Sequence, residues 1–128
     1  MYRYFLIYKP FGMLSQFSRE GDRTTLADLF DFPKDVYPVG RLDADSEGLL
    51  LLTNDKKMTN ELLNPAHKHE REYLVQVEGI PTAKELQQLI KGVMIKVNKK
   101  EHLAKAVKAD VMQKEPELPP RNPPVRFR

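Results

Sequence analysis

The sequence predicts an α+β domain built on a mixed, mainly antiparallel sheet with flanking helices, and three observations point there. Short segments rich in aromatic and aliphatic residues, such as Tyr4-Phe5-Leu6-Ile7-Tyr8, are interspersed with capped helical stretches. The segments between them lack the regular length of a parallel βαβ array. At 128 residues the chain can bury one modest core but hardly two, so a single globular unit over residues 1–128 is expected.

The first strand, residues 4–8, is stopped by the turn Lys9-Pro10-Phe11-Gly12. Residues 25–30 read as a short helix capped by Thr24 or Thr25 and ended before Pro33. Val36-Tyr37-Pro38-Val39 leads into a polar loop at residues 40–47, and that loop into Gly48-Leu49-Leu50-Leu51-Leu52-Thr53. The leucine run is expected to be a central strand buried on both faces. A helix follows over residues 57–63. Residues 71–77 then alternate, with Tyr73, Val75 and Val77 on one face, and predict a half-buried strand. Thr82 and Glu85 form a capping box in which each side chain satisfies a backbone donor at the helix start; Leu86, Leu89 and Ile90 supply the buried stripe, and Gly92 the end. Residues 93–97 and 103–112 read as two further strands joined by a basic connection at Lys99, Lys100 and His102. From Glu115 the chain turns proline-rich and basic, so residues 115–128 are expected to be extended and loosely tied down.

Composition narrows the chemistry. With 41% hydrophobic and 30% charged residues the chain is too apolar for disorder, and no apolar run approaches the roughly 20 residues of a membrane span, so neither a membrane partner nor a signal peptide is expected. A cytoplasmic location follows from that reading. Without cysteine there are no disulfides, thiolate metal sites or thiol nucleophiles, which leaves carboxylates, His, Lys, Tyr and hydroxyls. The net charge of +3 permits a polyanionic partner without requiring one. His67, His69 and His102 have no spacing that suggests a metal cluster or a triad, and are expected at the surface.

The loop before the leucine run is the most informative segment. It sets Arg41, Asp43, Asp45 and Glu47 at the mouth of an apolar strand, and Arg41 and Asp43, two apart, can face one ligand in an extended loop. The plainest reading is a solvated acidic turn. A calcium loop is a rival, because Asp43-x-Asp45-x-Glu47-Gly48 has the alternating oxygen donors; its twelfth position, however, is Asn54 where a bidentate Glu is needed. No metal is therefore expected.

Gly40-Arg41-Leu42-Asp43-x-Asp45-Ser46-x-Gly48-Leu49-Leu50-Leu51-Leu52-Thr53-Asn54-Asp55 resembles the catalytic motif of the RsuA-type ribosomal pseudouridine synthases. Tyr8-Lys9-Pro10-x-Gly12 resembles the first motif of that family, and Arg71-Glu72-Tyr73-x-Val75-x-Val77-x-Gly79 the segment that bears its active-site tyrosine. Val77-Glu78-Gly79-Ile80-Pro81-Thr82 and Pro120-Arg121-Asn122-Pro123-Pro124-Val125-Arg126 resemble a large-subunit subgroup of the family, the E-type synthases.

The resemblance implies a pseudouridine synthase catalytic domain that isomerises a uridine of ribosomal RNA, most naturally large-subunit RNA, with no cofactor. Asp43 would be the catalytic carboxylate, acting as nucleophile or as base on the sugar. Arg41 would fill the gap left by a flipped base or hold a phosphate, with a structural ion pair as its alternative. Tyr73 would stack on the target uracil, where a core position is the alternative. Lys9 is grouped with these RNA-contacting residues, and with Pro10 is expected to shape the site floor and support the Asp43 loop. Gly12, Gly40, Leu42 and Gly48 would support the site, while Asp45, Ser46 and Glu47 would orient Asp43. The family pattern also sets two expectations about extent: no S4-type RNA-binding domain before the first motif, and a catalytic domain cut short before a C-terminal Gly-Arg-x-x-Gln-x-Arg-Arg motif. The alternative is a catalytically inactive RNA-binding fragment of the same fold.

Overall fold

A computed structural model describes residues 1–121, 123 and 124. The backbone divides into two compact units, Met1–Arg71 with Pro119–Arg128, and Glu72–Leu118.

In the first unit, β1 (Tyr4–Lys9) pairs antiparallel with β3 (Gly48–Thr53), and β2 (Tyr37–Pro38) pairs antiparallel with the other edge of β3. The leucine run is thus the central strand, as expected. The register sets Phe5 opposite Leu52 and Ile7 opposite Leu50. Strand alternation puts these four on one face, where they pack with Met13, Leu26, Phe32 and Val36 into the core. Phe32 stacks edge-on against Phe5 and Phe17 and completes that layer. The expectation that β3 is buried on both faces is corrected. Leu50 and Leu52 are buried, whereas Leu49 is 74% exposed beside Tyr8, because the core lies on one side of the sheet only.

Helix α1 (Leu26–Leu29) starts at Thr25, whose hydroxyl and the Asp28 carboxylate form a reciprocal capping box, and buries Leu26 completely. Helix α2 (Lys56–Leu63) starts at Asp55, whose carboxylate accepts the Lys57 and Met58 N–H groups. The Tyr4 hydroxyl donates to the same carboxylate at 2.7 Å and so ties α2 to β1. A single 3₁₀ turn, Pro65–His67, follows α2.

The second unit holds α3 (Ala83–Lys91), capped by Thr82 and Glu85 and ended at Gly92, and a hairpin of β4 (Val93–Val97) and β5 (Lys100–Ala104). Three expectations fail here. Residues 71–77 form no strand and expose Tyr73, Leu74, Val75 and Val77: their alternation suits a pleated surface, but no strand pairs with them among the described residues. The strand expected over 103–112 instead begins at Lys100 and ends at Ala104. Asn98 and Lys99 both adopt positive φ (52° and 66°), and so make a two-residue turn of what read as a basic connection. In α3, Leu86 and Ile90 are half-buried and Leu89 is exposed, so the apolar stripe is only partly covered. Among the described residues no helix is long and apolar enough to cross a membrane.

Residues 115–121 adopt no regular element, and Arg121 is tied down: its guanidinium lies 4.2 Å from the centre of the Phe11 ring. Asn122 and residues 125–128 of the proline-rich segment lie outside the described residues.

The Asp55 carboxyl is held below the usual carboxylate value, chiefly by the Tyr4 hydroxyl and then by the Met58 N–H. A carboxylate depressed on folding stabilises the fold above its unfolded pKa, and that stabilisation is lost as the pH falls through the folded value. Urea unfolding of wild type and Asp55→Asn, which keeps a capping side chain, is expected to show a stability gap at pH 7 that closes as the pH drops below the ordinary aspartate value of 3.8.

Candidate active site

The site begins from strand period. Phe5, Ile7 and Lys9 occupy alternate positions of β1, so the face that buries the first two also carries the Lys9 side chain inward. Lys9 has no exposed surface. A buried ammonium must replace its lost hydration, and Lys9 Nζ donates to the carbonyl oxygens of Met13 at 2.8 Å, Pro10 at 2.9 Å and Ala44 at 3.4 Å. Desolvation lowers the Lys9 pKa, against an opposing pull from Asp45, Glu47 and Asp43.

Two of those carbonyls belong to the turn after β1, and the third lies on the loop between β2 and β3. A second bond joins the same two segments: the Gly12 N–H donates to the Ala44 oxygen at 2.6 Å. Gly12 sits at φ 86°, which a side chain would strain, and that conformation aims its N–H. Ser15 makes a third tie, its hydroxyl donating to the Leu42 oxygen at 2.7 Å and accepting the Leu42 N–H at 3.1 Å. The Leu42 and Ala44 backbones are therefore fastened, and Asp43 between them is exposed. Downstream, the Ser46 N–H donates to the Asp43 oxygen and closes the turn. Upstream, Gly40 has φ 78°, and a Cβ there would come within 3.1 Å of Leu63 on α2, so the loop enters where only glycine fits readily.

The residues expected to form the site separate into groups. Lys9, Pro10, Gly12, Gly40, Arg41, Leu42, Asp43 and Gly48 all belong to the first unit. Lys9 is corrected as an RNA contact: it is buried and saturated by backbone carbonyls, which leaves the supporting role also expected of it. Arg41 is exposed, with Nη2 3.5 Å from Gln16 Oε1, and forms no ion pair among the described residues. Tyr73 belongs to the second unit and is 60% exposed. Glu47 is engaged by neighbouring side chains: Oε1 accepts the Tyr8 hydroxyl at 3.0 Å and Oε2 lies 3.7 Å from Arg121 Nη1. Burial, followed by the Glu47 hydrogen bond, raises the Tyr8 phenol pKa. Ser15 was missed by sequence reasoning, since nothing in periodicity or composition distinguishes it from other loop serines.

An exposed carboxylate thus stands on a loop fastened through its backbone, just before the central strand. A family model described as RNA pseudouridylate synthase matches residues 3–123, and the chain belongs to that family. Among individual proteins, it is 45% identical over 125 residues to a ribosomal large subunit pseudouridine synthase E of Xanthomonas axonopodis pv. citri (strain 306), covering 96% of this chain and 63% of that one. It is 46% identical over 120 residues to the protein of the same name from Vibrio vulnificus (strain CMCP6), covering 94% and 49%. A crystal structure of a pseudouridylate synthase superposes with a TM-score of 0.73 at 27% identity, over 88% of this chain and 48% of that one. The chain thus spans about half to two thirds of the length of these relatives.

Lys9→Met keeps the apolar stem and removes the donor, leaving buried carbonyls short of a partner. Urea denaturation is expected to show a loss of about 1–3 kcal/mol, with faster hydrogen exchange at the Gly12 amide; an unchanged midpoint would remove Lys9 as the fastening of the loop.

Proposed function

We propose that the protein isomerises a uridine of ribosomal RNA to pseudouridine, with Asp43 as the catalytic carboxylate, and that the RNA is that of the large subunit. The observation that carries this reading is the Asp43 carboxylate itself: exposed, and held by a backbone fastened on both sides at Leu42 and Ala44. Family membership supports the reaction, and the names of the two relatives support the large-subunit substrate. In this reading residues 1–128 belong to a catalytic domain, and the protein works in the cytoplasm on ribosomal RNA.

The reaction breaks the bond from ribose C1′ to uracil N1, turns the base, joins C1′ to C5, and returns a proton to N1 as C5 loses one. It requires a carboxylate at the sugar, either adding to it or removing a proton from it, and a nucleotide drawn out of its stack. Fastening the loop before substrate arrives means that the carboxylate need not be ordered during the reaction. Arg41, exposed two residues from Asp43, is suited to a phosphate or to the gap left by the base. Tyr73 offers an accessible ring for stacking on the uracil. Lys9, Pro10, Gly12, Gly40, Leu42 and Gly48 support the loop. No cofactor or metal enters the scheme.

Tritium release from C5-labelled large-subunit rRNA tests the reading directly. The chain is expected to release tritium, and Asp43→Asn to abolish release while RNA binding persists. Undiminished release by Asp43→Asn would remove the residue from the chemistry, and RNA binding without release by the wild type would favour a catalytically silent RNA-binding module. Tyr73→Phe, which keeps the stacking face, is expected to bind RNA within about twofold of wild type; a large loss would point to its hydroxyl.

A further inference from the structure

We infer that Arg121 is a positioning residue of the Asp43 loop and acts through Glu47; this rests on the proposed role of Asp43. The proline-rich segment reads as a tail in the sequence, yet Arg121 returns to the first unit and touches both segments that meet at Ala44. One face of its guanidinium covers the Phe11 ring at 4.2 Å, in the turn between Pro10 and Gly12. Its Nη1 lies 3.7 Å from Glu47 Oε2, four residues beyond Asp43, and its Nε donates to the Pro123 oxygen at 2.7 Å, which holds the guanidinium plane. Phe11 and Glu47 are thus bridged by one cation, and the two segments they belong to are also joined by the Gly12-to-Ala44 bond.

Burial decides how much the bridge matters. The Arg121 and Glu47 side chains are 23% and 16% exposed, against 71% and 31% for Arg19 and Asp28 and 83% and 68% for Lys108 and Asp110. Those two pairs are screened by water, while the Arg121 pair is largely not. Glu47 Oε2 is buried and accepts no hydrogen bond among the described residues, so the compensation it has is the charge of Arg121. Without that charge a half-buried carboxylate is left uncompensated and is driven toward solvent. Since Glu47 belongs to the loop closed by the Ser46-to-Asp43 bond, its departure loosens the carboxylate that does the chemistry. Lysine restores the charge but neither the flat face on Phe11 nor the fork toward Glu47.

The test compares wild type, Arg121→Gln, Arg121→Lys, Glu47→Gln and the double variant Arg121→Gln/Glu47→Gln by tritium release and by hydrogen exchange of backbone amides. Arg121→Gln is expected to lower kcat about fivefold while KM for rRNA stays within about twofold. Arg121→Lys should recover part of the loss. The double variant should be no worse than the poorer single one, because both remove one interaction. The Ser46 amide should exchange faster in Arg121→Gln, while the amides of β4 and β5 keep wild-type rates. An unchanged kcat, a rise in KM alone, or multiplicative losses in the double variant would overturn the inference. If the wild-type chain releases no tritium, the isomerase reading fails by itself and exchange decides the point: a faster Ser46 amide, equal in Arg121→Gln and the double variant, sustains the positioning role, and an unchanged one sinks it.

Discussion

A positive charge without contact to water organises the first unit. Strand alternation carries Lys9 to the core face behind Phe5 and Ile7, and an ammonium there is tolerable only if backbone oxygens surround it. The chain meets that demand by bending the segment after β1 around the amine and by bringing Ala44 over from another loop. Burying a lysine ammonium is costly unless its hydrogen bonds are replaced, and once the carbonyls are placed around it, removing the amine leaves them short of a donor. The result is the meeting of two loops, one of which carries Asp43.

The remaining contacts around that meeting point act on the same two loops from different sides. Ser15 secures Leu42, Gly12 secures Ala44, and Glu47 is engaged by Tyr8 from the sheet and by Arg121 from the proline-rich segment. Asp43 is the residue left exposed between the two fastened positions. The proposed isomerisation gains from this plan, because the loop backbone is held before a substrate arrives.

Local physics was legible at several places where a side chain acts on its own backbone, though not at the Asp55 cap of α2, and at the start of α1 only to within Thr24 or Thr25. The caps at Thr25 and Thr82, the stop after β1 and the end of α3 at Gly92 all follow from residue type and spacing, and the structure places them accordingly. Legibility failed where a strand needs a partner. Residues 71–77 alternate as well as β1 does, yet among the described residues only β1 lies in a strand ladder; β2, two residues long, has no signal at all beyond its neighbour. The hairpin turn was hidden for a related reason, since Asn98-Lys99 lacks the glycine that usually marks two consecutive residues of positive φ.

By itself the sequence determined the α+β class, the central place of the leucine run, and the polar loop that carries Asp43. These depend on order along the chain: alternation, capping and the long motif around Asp43. Only the tertiary structure decided that Lys9 faces inward, that β3 is covered on one side, and that Arg121 lies on Phe11 beside Glu47. Each of those depends on what packs against a residue from far along the chain, and whether a charge is buried, screened or compensated is a property of that neighbourhood, not of the residue.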